Sequence, residues 1–77
     1  MNLLKSGDEV AVLPHAWTLP RDVLDIAIVL YAGPNLIEVA DGRIYYANDG
    51  RNLLDTEGDC IVLATEEHRS VLRAKLR

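Results

Sequence analysis

The sequence predicts a mainly β fold: one small domain, residues 1–77, of five short antiparallel strands bent into a barrel, closed by one α-helix over about 66–76. Three observations predict it. Apolar residues fall in short runs separated by turn signals at Pro14, Gly33-Pro34-Asn35, Asp41-Gly42 and Asn48-Asp49-Gly50. Helical periodicity without β-branched crowding is confined to the segment after Thr65. A chain of 77 residues that is 49% apolar and 26% charged has the composition of a single globular domain with a small core.

The elements follow in order. Ser6-Gly7-Asp8-Glu9 is a turn leading into a strand, with Val10 and Val12 on one face and Ala11 and Leu13 on the other, stopped by Pro14. His15 to Asp22 is fenced by Pro14 and Pro20 and reads as a loop. Val23 to Tyr31 carries helix-like spacing. Its β-branched Ile26, Ile28 and Val29 and its continuous apolar run fit a strand buried on both sides better. Leu36–Ala40 and Arg43–Ala47 flank Asp41-Gly42, which predicts a two-residue type I′ hairpin. That turn sets Val39 opposite Ile44 and Glu38 opposite Tyr45, so that Ile37, Val39, Ile44 and Tyr46 face the core and Tyr45 faces out. Arg51 to Asp59 is a polar loop, and Cys60–Ala64 is the fifth strand. Thr65 caps a helix whose apolar stripe is His68, Leu72 and Leu76, with Val71 beside it.

A sheet this short hides its edges most simply by closing into an SH3-like barrel. The same segments carry a resemblance. Gly7-Asp8-Glu9-Val10, Ile37-Glu38-Val39, Asp41-Gly42-Arg43-Ile44, Asn48-Asp49-Gly50 and Ala64-Thr65-Glu66-Glu67 resemble the outline of a group of small, mostly uncharacterised bacterial and phage proteins with SH3-like β-barrels. Gly33-Pro34-Asn35 departs from the Thr-Lys-Thr often found there, and Ile44 from the usual aromatic. The resemblance implies an SH3-like fold and a binding module, and it brings no catalytic residue with it.

Charge is unevenly placed. Residues 1–65 hold ten acids against four bases, a balance of −6, whereas residues 66–77 hold two acids against four bases, +2. Acids in the first turn of a helix and bases in its last suit the helix dipole. The alternative reading makes Arg69, Arg73, Lys75 and Arg77 a basic patch for nucleic acid.

Residue chemistry argues against catalysis. His15, His68 and Cys60 share no metal-ligand spacing. Asp55 to Glu66 echoes a calcium loop, but Cys60 stands where the sixth-position glycine is needed. Phosphate-loop and nucleophile-elbow motifs are lacking, so no cofactor, metal or small-molecule substrate is expected. The longest apolar run, Ile26–Ala32, is too short for a membrane span. The N-terminal residues do not read as a secretory signal, and a lone cysteine fits a reducing cytoplasm.

Aromatic side chains supply the functional candidates. SH3-type barrels bind proline-rich peptides along aromatics beside the first long loop. Here that loop holds Trp17 and His15, and Tyr45 is expected to point outward on the hairpin. Trp17 has two readings: a contact residue, or a lid folded over the core. The sequence thus points to a non-enzymatic protein-binding or assembly module. The alternatives are a nucleic-acid-binding accessory, or a structural subunit of a homo-oligomer or larger complex, in which Leu3-Leu4 and the final helix pack on neighbours.

Overall fold

The computed structural model describes residues 4–76. It contains β1 (Glu9–Leu13), a short 3₁₀ turn at Pro20–Asp22, β2 (Asp25–Ala32), β3 (Leu36–Val39), β4 (Ile44–Tyr46), β5 (Cys60–Leu63) and α1 (Glu66–Lys75). The strands form one antiparallel sheet in the order β4-β3-β2-β1-β5, curled into a half-barrel. Residues 50–53 run between its two edges. The Tyr46 and Leu53 amides bond the Arg51 and Ile44 carbonyls, and the Ile61 amide bonds the Gly50 carbonyl. Isolated bridges at Tyr45/Asn52 and Arg51/Cys60 complete the link.

Strand β1 is buried on both faces. Val10 and Val12 join Val29, Ile37, Val39, Tyr45, Ala47 and Ile61 inside the curl. Ala11 and Leu13 join Val23, Cys60 and Ala64 on the other side, where Val71 and Leu72 of α1 cover them. The sequence places two-sided burial on Val23–Tyr31 instead, and the structure corrects this. Val23 lies ahead of β2, and Ile28, Leu30 and Tyr31 stand about half exposed. The cause is a register shift between Val29 and Tyr31, where β2 bends while α1 covers its outer face only near Ile26.

The hairpin differs from expectation by one residue. Glu38 pairs with Ile44, Ile37 with Tyr45 and Leu36 with Tyr46. The Gly42 amide bonds the Val39 carbonyl, and the Val39 amide bonds the Arg43 carbonyl. Gly42 has φ +93°, whereas no non-glycine residue among those described has positive φ. Asp41 therefore does not take the left-handed conformation a type I′ turn requires. The loop is three residues long and ends in a left-handed glycine. The slip turns Tyr45 into the core and leaves Ile44 and Tyr46 half-buried.

Helix α1 begins as expected at Thr65. Its hydroxyl accepts from the His68 amide at 3.3 Å, while the Thr65 amide donates to His68 Nδ1 at 3.1 Å. His68 thus fills the place of the glutamate in a capping box, and its ring is buried. Leu76, expected on the apolar stripe, lies past the helix end and is exposed. Leu4 packs against the core, and Leu3 lies outside the described residues.

A candidate protein-contact site around Trp17

The loop between β1 and β2 is tied down on both sides of Trp17. The Thr18 hydroxyl and amide both donate to the His15 carbonyl, at 2.7 and 3.3 Å. The Asp22 carboxylate accepts from the Leu19 amide, and the Asp22 amide returns a bond to the Leu19 carbonyl. Buried Val23 then anchors the loop in the second core cluster. The loop is long, but these bonds and two prolines leave it little freedom.

Trp17 at its tip is 83% exposed, so the ring does not roof the core. Of the two readings, the lid is excluded. The Arg51 guanidinium lies 5.6 Å from the ring centroid, within cation–π reach. Arg51 is fixed in turn: its backbone bonds Tyr46, its amide donates to Asp49 Oδ1 at 3.0 Å, and its Nε lies 3.6 Å from Asp49 Oδ2. Between the two loops is a hollow of about 360 Å³ lined by His15, Ala16, Trp17, Arg51, Thr56 and Glu57. It offers an aromatic surface, a guanidinium, a hydroxyl and a carboxylate, a mixture suited to non-covalent contact with a polypeptide. Trp17 and His15 come together here as the sequence proposes. Arg51, Thr56 and Glu57 are legible in the sequence only as loop residues, because nothing local pairs them with a tryptophan so distant in the chain.

Tyr45 does not join this site. It is 0% exposed, and its hydroxyl donates to Asp59 Oδ2 at 2.6 Å. Asn52 Nδ2 donates to Asp59 Oδ1 at 2.7 Å, and Arg43 Nη1 to Asp59 Oδ2 at 3.1 Å. Arg43 Nε also pairs with the Asp41 carboxylate. Burial and the Asp59 carboxylate push the Tyr45 phenol well above its ordinary range. Burial alone would raise the Asp59 carboxyl, but the Tyr45 and Asn52 hydrogen bonds with the Arg43 charge hold it below its ordinary value. The cluster fastens the hairpin to the start of β5.

The bases expected to form a patch are largely engaged. Arg69 bonds Glu9 on β1 at 2.8 Å, Arg73 bonds Glu66 at 2.8 Å, and Lys75 Nζ donates to the Val23 carbonyl at 2.9 Å. Arg77 lies outside the described residues. Cys60 is buried opposite Leu13, and burial raises its thiol pKa. Among the described residues no group of three or more His, Cys, Asp and Glu is placed to hold a metal ion. Among them, too, no helix is long and apolar enough to cross a membrane. Comparison with known proteins finds no matching family model, no matching curated protein and no matching solved structure.

Proposed function

We propose that this chain is a non-enzymatic protein-binding module on an SH3-like barrel, and that it grips a peptide segment of its partner at the Trp17 hollow. The strand order β4-β3-β2-β1-β5, with a bent β2 shared between the two halves of the sheet, supports the SH3-like reading. The observation that carries the function is Trp17 itself. Leaving a large apolar side chain in water forgoes roughly 1.5–3 kcal/mol of burial, yet this ring is held out by a hydrogen-bonded loop and backed by an anchored arginine. Tryptophan and arginine are the residues most often found at the energetic centre of protein interfaces. Engagement of Arg69, Arg73 and Lys75 within the chain weighs against the nucleic-acid reading. A single, buried thiol supports a reducing cytoplasmic setting.

The test is selection of displayed random peptides on the wild-type protein, followed by affinity measurement on Trp17→Ala and Arg51→Ala. Selected peptides should bind Trp17→Ala at least about tenfold more weakly, a loss of about 1.4 kcal/mol. Peptides that bind both proteins equally would overturn the proposal.

A further inference from the structure

The outer face of β2, β3 and β4 lies beyond the cover of α1 and holds a second hollow, of about 300 Å³. Tyr31, Leu36 and Ile44 supply apolar walls, and Glu38 lies among them. The strand register places Glu38 directly between Tyr31 on one side and Ile44 on the other. Gly33 shapes the hollow: a Cβ there would come within 2.9 Å of the Tyr31 hydroxyl, so the glycine lets the tyrosine ring lie down across it. Tyr31 and Leu36 remain exposed. Among the described residues no cation pairs with Glu38, although every other member of the lining is uncharged.

We propose that this hollow receives a basic side chain, arginine best, carried by a segment of a partner protein. The complementarity is threefold. An aliphatic stem would lie on Leu36 and Ile44, a guanidinium would face the Tyr31 ring, and its charge would meet the Glu38 carboxylate. The −6 balance of residues 1–65 would draw a basic segment toward the domain before contact, and Glu38 is the charge that meets it in the hollow. A second copy of the chain is a poorer source, since two bodies of net charge −4 repel one another. The site is distinct from the Trp17 hollow, with which it shares no lining residue.

Amide chemical shifts of the labelled full chain, at physiological salt, test this with two capped peptides, Ala-Ile-Arg-Leu-Ala and its citrulline counterpart. The arginine peptide should give saturable shifts at residues 31–38 and at Ile44. The citrulline peptide, which keeps the shape and removes the charge, should bind at least about tenfold more weakly. Glu38→Gln should lose the same factor while keeping the wild-type circular dichroism spectrum, and Leu36→Ala should weaken binding too. Trp17→Ala should bind the peptide unchanged, which separates failure here from failure at Trp17. Equal binding of the two peptides would overturn the proposal. So would shifts scattered over the acidic surface, loss of binding in Trp17→Ala, or movement of the same amides with protein concentration alone.

Discussion

Removing the Tyr45 hydroxyl tests the hairpin register and the network beneath it together. The hydroxyl is buried, 2.6 Å from a carboxylate that also receives Asn52 and Arg43. A hydrogen bond to a charged acceptor contributes about 1.5–3 kcal/mol. The Asp59 side chain is 22% exposed, so water recovers part of this and the lower end applies, about 1.5–2 kcal/mol. In a domain of this size each kcal/mol moves the Tm by about 4–8 °C, so Tyr45→Phe should melt roughly 6–16 °C lower at neutral pH. Tyr46→Phe, on the half-buried outer face, should stay within about 0.5 kcal/mol of wild type. Thermal and urea melts followed by circular dichroism measure both. The pH dependence has a definite sign. A carboxyl held below its ordinary value stabilises the fold above about pH 4 and loses that contribution as acid protonates it, so the gap between wild type and Tyr45→Phe should narrow below about pH 4. A phenol held above its ordinary value contributes fully below about pH 10, and wild type should lose stability faster than Tyr45→Phe above it. Equal melting shifts for the two Tyr→Phe variants would refute the three-residue loop.

Three further outcomes are expected. Val39→Asp should unfold the protein, because it buries an unpaired charge in the inner cluster, whereas Glu38→Asp on the exposed face should shift the melt little; equal shifts would contradict the register. Gly42→Ala should destabilise by about 1 kcal/mol or more, since φ is +93° although the space around it is open; an unchanged melt would mean the turn has another conformation. Cys60→Ala should cost about 1 kcal/mol and leave peptide binding intact, and the native thiol should label slowly; fast labelling would show an exposed cysteine.

Much of this fold can be read from local chemistry, and the failures have physical causes. Strand β1 shows its two faces in the alternation Val10-Ala11-Val12-Leu13, and Thr65 announces α1. The hairpin's existence is plain, but its register is not. Asp-Gly serves a two-residue turn or a three-residue loop ending in left-handed glycine, and Ile44-Tyr45-Tyr46 is apolar throughout, so binary pattern cannot choose between them. The run in β2 suggests two buried faces because sequence records apolarity and not what covers it; Ile28 and Tyr31 remain uncovered. At the candidate site Trp17 and His15 are visible as loop residues between prolines. Arg51 was hidden because its placement depends on the closing segment that joins β4 to β5, a non-local event.

Trp17 is proposed as the contact residue, and its own fluorescence tests this most directly, because it is the chain's single tryptophan. In the free protein its emission should be water-like and freely quenched by acrylamide. On titration with a peptide selected on the wild type, the same ring should shift to the blue and become protected, with a midpoint matching the affinity measured independently. Emission that is already blue and protected in the free protein, or that stays water-like at saturating peptide, would contradict the account.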